Sequence, residues 1–284
     1  MSHMNTSGVP GPKPYDLSVS VVVYRPNAAQ LAQTLESLTV AYDALRSAQP
    51  TLRAGFYLVD NGDLPDVEGA LDDLRARGVI CTVIAGQGNV GYGCGHNLAI
   101  ERVASRYHLV LNPDIDLDRE ALVRACEFFD AHPDAGLLTP WIGDELGHQQ
   151  FLCRRYPTVL DLFARGFLPS SARRLFSRRL ARYEMRDLIN DRDIVWNPPI
   201  VSGCFMLFRT DTLQKLGGFD PRYFLYFEDY DLSLRAHDVA RVVYVPAVRV
   251  LHHGGGAARK GTAHIRMFAG SAYKFYSRFG WKWL

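Results

Sequence analysis

Long apolar runs are missing from this 284-residue chain. No stretch of about eighteen consecutive apolar residues occurs, so no membrane-spanning helix is expected. The start has no apolar signal core either. Charge excess is missing too: 32 Lys and Arg face 30 Asp and Glu, a formal net charge of +2. So even a balance gives no global reason to bind nucleic acid, and no such partner is expected. Cysteine is sparse and scattered, at Cys81, Cys94, Cys126, Cys153 and Cys204, with no C-x-x-C. An odd, unpatterned set in an α/β chain reads as reduced thiols, which places the protein in the cytoplasm. There is no internal repeat and no low-complexity segment.

What is present is an alternation of strands and helices. Ser18-Val-Ser-Val-Val-Val-Tyr24 is a near-continuous β-branched run, as a buried parallel strand should be. Helical spacing follows at Leu31, Leu35 and Leu38. Further strands are expected at Phe56–Asp60, Cys81–Ala85 and Tyr107–Leu111, with helices at Leu98–Ser105 and Arg119–Phe129. The pattern predicts a mostly parallel, mixed sheet flanked by helices. In the second half, Phe151–Asp187 reads as helical and arginine-rich, and Val201–Phe208 as a strand containing Gly203. Glu228–His237 reads as a helix and Val242–Leu251 as a strand. Residues 1–15 are expected to be a loose leader, opening on a cloning remnant.

"GQGNVGYGCGHN", Gly86 to Asn97, raises the first functional question. Its front half spells G-x-G-x-x-G, which after a strand suggests a dinucleotide site and an NAD-dependent oxidoreductase. Two features weigh against that. Gly93 and Gly95 continue the loop, and each interior glycine costs a helix about 1 kcal/mol, so a helix start near His96 is expected. The loop also follows the third strand rather than the first.

Other candidates lie at strand ends. Asp114 and Asp116 form D-x-D after a strand; i and i+2 share a face, and paired carboxylates suit Mg²⁺ or Mn²⁺ with a substrate diphosphate. Acids there could equally cap the next helix. Glu228-Asp229 opens a helix behind the aromatic run Tyr223–Phe227. Helix-dipole complementarity explains acids in that place; desolvation by the aromatics would instead raise a pKa and suit a general base. Asp60 and Asn61 sit where open α/β sheets bind ligands, or serve a plain turn. His252 could ligate a metal or bond locally.

The motifs "NVGYGCGHN", "LNPDID", "SGCFMLFR", "GGFDPRYFLYFEDYDLSLR" and "YVPAVRVLHHGGG" together resemble the family-2 inverting glycosyltransferases of GT-A fold. The likeness is greatest to bacterial rhamnosyltransferases of cell-surface polysaccharide assembly. The resemblance implies one GT-A domain over 16–262. Its nucleotide-sugar half would be 16–118 and its acceptor half 119–262, with a helix at 263–284. It implies nucleotide or donor contacts from Val23, Tyr24, Arg25, Asp60, Asn61, Asn89, Gly91, Gly93, Asn97 and Asp114. It implies a divalent cation, Mg²⁺ or Mn²⁺, on Asp114, Asp116 and His252. Asp229 would be the base, with Glu228, Gly203 and Trp196 supporting the acceptor side. The implied donor is a dTDP- or UDP-sugar, dTDP-rhamnose first, and the acceptor is a glycan or a polyprenyl-linked acceptor. The chain departs from many relatives at Arg25, His96 and Ala257-Ala258. A glycan-binding module without turnover is the non-enzymatic alternative. The absence of Q-x-x-R-W argues against a processive synthase.

Phe275, Phe279 and Trp283 recur at i, i+4 beside Lys274, Arg278 and Lys282. Such a stripe suits either an anionic membrane surface or packing on the domain. The arginines between 173 and 186 could join a contact at the inner face of the cytoplasmic membrane.

Overall fold

The computed structural model describes residues 15–254 and 261–284. All but Tyr15 of the expected leader, and Ala257-Ala258, lie outside the described residues. In chain order the elements are β1 (Tyr15–Val23), α1 (Ala28–Ala48), β2 (Ala54–Asp60), α2 (Glu68–Ala76), β3 (Ile80–Ile84) and α3 (Tyr92–Ile100). Then come β4 (Ser105–Leu111), β5 (Ile115–Leu117), α4 (Ala121–Ala131), β6 (Ala135–Gly143), α5 (Val159–Phe167), α6 (Ser170–Arg173) and α7 (Ser177–Tyr183). The last are β7 (Val195–Trp196), β8 (Phe205–Arg209), α8 (Thr210–Lys215), α9 (Glu228–Ala236), β9 (Arg241–His252) and α10 (Gly261–Phe279).

The strands form one sheet in the order β3-β2-β1-β4-β8-β6-β9-β5, with β7 paired to β9. β1, β2, β3 and β4 are mutually parallel, as the alternation predicts. Beyond β4 the sheet is mixed: β8 runs antiparallel to β4 and β6, and β6 and β9 are parallel. β1 is buried along almost its whole length because β2 and β4 flank it and helices cover both faces. Asn27 caps α1 by accepting from the backbone N–H of Ala29 and Gln30, and Leu31, Leu35 and Leu38 then point into the core. β6 is buried at every position, so it has no alternation to betray it and no strand is expected there from sequence.

Three local expectations need correcting. α3 begins at Tyr92, not His96. The helix tolerates Gly93 and Gly95 because their missing side chains are required. A Cβ at Gly93 would lie 2.8 Å from Cβ of Phe219, and one at Gly95 2.8 Å from Val22. The close approach of α3 to the sheet thus outweighs the propensity cost. Phe151–Pro157 is not helical; helix starts only at α5, where Thr158 and Asp161 form a capping box. Gly203 lies in a turn just before β8, not inside a strand.

The end of the chain packs on the domain. Phe275 is 0% exposed and Tyr276 is buried, in a cluster with Tyr223, Phe227 and Leu162. Burying Phe275 alone stabilises by about 2 kcal/mol. Arg278 donates to the buried Asp231 at 2.8 Å and to Asp220 at 2.8 Å, which pins α10 to α9. The Phe275–Phe279 stripe is therefore a core face, not a lipid face.

Candidate active site

Polar residues gather at the carboxyl ends of β1, β2 and β4, the ligand-binding edge of an open α/β sheet. On the first side, Tyr24 is 49% exposed and its ring lies over Gly62. Arg25 has φ +48 and pairs with Asp63 at 2.9 Å. Asp60 accepts the Gly62 N–H at 2.8 Å. Val23 is buried and offers only backbone, its carbonyl accepting from Asn61 N–H. These positions form a rim suited to a nucleotide.

The glycine loop is held from beneath. Asn61 is buried; its Nδ2 donates to the Gly91 carbonyl at 3.0 Å and its Oδ1 accepts from Gln87. Asn89 closes an Asx turn on Gly91 N–H at 3.1 Å. Gly91 sits at φ +88, and a Cβ there would stand 2.2 Å from the Phe224 carbonyl oxygen. Tyr92 N–H donates to that same carbonyl. The loop is thereby fastened to the aromatic run of the acceptor half. Asn97 spends its whole amide on Phe219, donating to its carbonyl at 2.7 Å and accepting its N–H at 2.9 Å. Asn61 and Asn97 thus both spend their amides on other segments of the chain. His96 is likewise interior, its Nδ1 on Ser20 Oγ at 2.8 Å. Asn97→Ala leaves two backbone groups without partners and should cost about 2–4 kcal/mol. Thermal melting checks this; an unchanged midpoint would return Asn97 to the donor side.

At the end of β4 the chain turns into β5, which pairs antiparallel with β9 and sets Ile115 opposite His252. Nε2 of His252 lies 3.7 Å from Oδ1 of Asp114. The amide of Gln150 donates to the His252 carbonyl, so its oxygen accepts from Nδ1–H at 3.0 Å. That assigns the proton to Nδ1 and turns the Nε2 lone pair toward a carboxylate, an arrangement that calls for a cation between them. Burial, the largest influence, lowers the His252 pKa and favours this neutral form. Asp114 Oδ1 and Asp116 Oδ1 are both buried without a hydrogen-bond partner. Gly254 closes the site: a Cβ there would meet Asp114 Oδ2 at 2.4 Å and His252 Nε2 at 2.5 Å. Asp114 and His252 therefore fit a divalent cation whose remaining ligands would be diphosphate oxygens and water. Among the described residues, no three His, Cys, Asp or Glu side chains form a ready-made metal cage.

Asp116 differs from Asp114. Its Oδ2 accepts from Gln33 Nε2 at 2.5 Å and lies 2.6 Å from His253 Nε2. His253 also faces Glu145 through Nδ1 at 2.8 Å. Burial lowers the His253 pKa, but the bonds to Asp116 and Glu145 outweigh it and raise the net value. The sequence reading gives no role to His253, Gln33, Gln150 or Gly254. The only local signal was the doubled histidine, because Gln33 arrives from α1 through the fold.

Opposite stands Glu228-Asp229, at the start of α9. Two residues in left-handed conformation, Tyr226 and Phe227, precede it at φ +69 and +66. Asp229 accepts Gly203 N–H at 3.0 Å and Tyr230 N–H at 2.9 Å. Tyr92 donates to the Gly203 carbonyl at 2.7 Å, tying α3 to the same turn. Glu228 is buried and its Oε2 has no partner. Burial, then the neighbouring Asp229, pushes its pKa up to about 8. Asp229 is also raised by burial, but its backbone hydrogen bonds oppose this. Two adjacent buried carboxyls do not both ionise readily; the bonded Asp229 takes the charge and Glu228 keeps the proton. A carboxyl whose pKa is raised on folding destabilises the native state once pH exceeds its unfolded value. Glu228→Gln should therefore raise the melting midpoint by a few degrees at pH 7–8 and not at pH 4. An equal shift at both pH values would sink the protonated assignment.

Trp196 is held by β9 and α4. It pairs with Val243 and packs against Phe128, His132 and, at 3.8 Å, Arg241. From Val243 to His252 along β9 is roughly 30 Å at strand rise. β9 pairing thus sets Trp196 away from the His252 end of that strand.

The profile described as Glycosyltransferase like family 2 matches residues 14–266. The chain belongs to that family. This enzyme is 27% identical over 275 residues to the N-acetylglucosaminyl-diphospho-decaprenol L-rhamnosyltransferase of Mycobacterium tuberculosis (strain CDC 1551 / Oshkosh). That alignment covers 91% of this chain and 83% of the relative. It is 26% identical over 175 residues to rhamnosyltransferase WbbL of Escherichia coli (strain K12), covering 58% of this chain and 62% of WbbL. Solved structures support the GT-A fold. GalNAc-T7 with UDP, GalNAc and Mn²⁺ matches with TM-score 0.57 at 14% identity, over 84% of this chain and 43% of that one. S. aureus TarS 1-349 with UDP matches with TM-score 0.53 at 15% identity, over 90% and 65%. The glycosyltransferase has Gly91 at the N-cap of α3, much as a dinucleotide fingerprint would. Family membership nonetheless replaces the oxidoreductase reading. No described helix of the enzyme is long and apolar enough to cross a membrane.

Proposed function

We propose that the enzyme transfers L-rhamnose from dTDP-rhamnose, with inversion, to a hydroxyl of a polyprenyl-diphosphate-linked glycan at the cytoplasmic leaflet. The observation that carries the chemistry is Asp229. Its carboxylate is oriented by the Gly203 and Tyr230 N–H groups, and Tyr92 links its turn to the glycine loop. Asp229 accepts the proton of the acceptor hydroxyl. The oxygen forms its bond to the anomeric carbon as the bond to the diphosphate breaks from the opposite face. One base suffices for such a displacement, unlike the two carboxylates of a glycosidase. Asp114 and His252 would hold Mg²⁺ or Mn²⁺, which supplies charge neutralisation at the leaving diphosphate. Tyr24, Arg25 and Asp60 would face the nucleotide. The sugar and acceptor rest on the likeness to the mycobacterial relative.

Release of nucleoside diphosphate from a panel of nucleotide sugars tests this, with a short-chain polyprenyl-diphosphate N-acetylglucosamine as acceptor. The expected result is release from dTDP-rhamnose, lost with chelator and restored by Mn²⁺. NMR of the product should show inverted anomeric configuration. Preference for a UDP-hexose would overturn the donor. Binding of donor with no release from any sugar would favour a binding module.

A further inference from the structure

Most arginines of the acceptor half are paired inside the protein. Arg155 bonds Asp187, Arg165 lies beside Glu184, Arg179 bonds Asp161, and Arg186 bonds Glu184. Arg174 and Arg178 are exceptions. Both are exposed, and neither has a side-chain partner among the described residues. Between them Leu175 is 86% exposed. A second unusual surface lies at the end of the chain, where Trp281 and Trp283 stack at 5.2 Å and Trp283 is 64% exposed.

The two surfaces meet at the first turn of α5. Lys282 and Trp283 offer their carbonyls to the N–H groups of Val159 and Leu160. Arg179, one residue after Arg178, donates to Thr158 and Asp161 in the same turn. Unpaired cations thus adjoin an exposed tryptophan pair and an exposed leucine. Water is a poor environment for the apolar members, and a protein partner would need matching carboxylates in defined places. A bilayer interface satisfies all of them without defined geometry. Indoles settle at the headgroup level, and guanidinium groups bind lipid phosphates.

We infer that Arg174, Leu175, Arg178, Trp281 and Trp283 form the surface by which this enzyme rests on an anionic bilayer. The position suits the reaction proposed above, and its placement beside the base rests on that reading. α7 runs 7 residues, about 10 Å, from the basic end to Tyr183. The Tyr183 hydroxyl lies 2.7 Å from that of Tyr230, the neighbour of Asp229. A lipid-linked acceptor leaving the bilayer there reaches the base within the length of its glycan.

The test is flotation of the full chain with phosphatidylcholine vesicles, with and without phosphatidylglycerol, alongside quenching of tryptophan emission by brominated lipid. The chain should float only with phosphatidylglycerol, and its emission should be quenched. Arg174→Gln with Arg178→Gln should weaken partitioning roughly 25-fold, at about fivefold per cation. Trp283→Ser should lower the quenching, leaving the share of Trp281. All these side chains are exposed, so melting should not change, and nucleotide release with a water-soluble acceptor should not either. Failure to float with phosphatidylglycerol, or equal flotation of the double variant, overturns the surface. Self-association abolished by Trp283→Ser, without flotation, assigns it to a second copy and also overturns it. Flotation without nucleotide release from any donor leaves the surface standing and removes the transferase reading.

Discussion

Asp229→Asn is expected to lower kcat by roughly 10²–10⁴-fold, the usual worth of a positioned general base. Donor affinity should be unchanged, because the Asp229 carboxylate bonds the N–H groups of Gly203 and Tyr230 rather than the nucleotide-side residues Tyr24 and Asp60. Asparagine keeps the size of the side chain and one of the two backbone contacts from Gly203 and Tyr230. It cannot take a proton at neutral pH. The wild-type rate should rise with pH as Asp229 ionises, and burial places that rise above the ordinary aspartate range. In the variant the rising limb should vanish with the activity. Steady-state kinetics with calorimetry of nucleotide binding decide the matter. Turnover within about tenfold of wild type would move the base to another residue.

Gly254→Ala should be the most damaging change outside the base. The added Cβ would collide with Asp114 Oδ2 at 2.4 Å and His252 Nε2 at 2.5 Å. Gln150 holds the imidazole, and the His253 N–H bonded to the Asp114 carbonyl fixes the backbone beneath the carboxylate, so the two cannot part freely. Metal-dependent nucleotide affinity should fall by about 10–100-fold, as when a supporting shell is lost. Metal-free affinity and melting should hardly move, since Gly254 is not in the core. Isothermal calorimetry with Mn²⁺ and with chelator separates the two. Equal Mn²⁺-dependent binding by variant and wild type would remove Asp114 and His252 from the cation site.

Some of this was legible beforehand because it is local. The β-branched run of β1, the D-x-D after β4 and the acids opening α9 each announce themselves within a few residues. Their sequence order placed Asp60, Asp114, Asp229 and His252 at strand or helix ends, where the fold does put them. The glycine loop was legible as a loop, yet its glycines serve contacts with Val22, Phe219 and Phe224 from distant parts of the chain. No local pattern carries that information. For the same reason α3 was expected to start late, and Asn97 was read as a donor contact when its amide is spent on Phe219.

The C-terminal aromatic stripe shows the same division. Period and charge established an amphipathic helix, but period alone does not say whether protein or lipid covers the apolar face. The Arg278 bonds to Asp231 and Asp220 and the burial of Phe275 decided for protein. They left Trp283 facing outward, stacked on Trp281, which also stacks on the buried Tyr276 ring. By itself the sequence determined the parallel half of the sheet, the family and the carboxylates that stand at strand and helix ends, since these follow from short-range pattern. Only tertiary structure decided which histidine faces which aspartate, that Trp196 packs on Phe128, His132 and Arg241, and which backbone N–H groups orient Asp229. Those are set by strand pairing and close packing between segments far apart along the chain, and no local spacing encodes them.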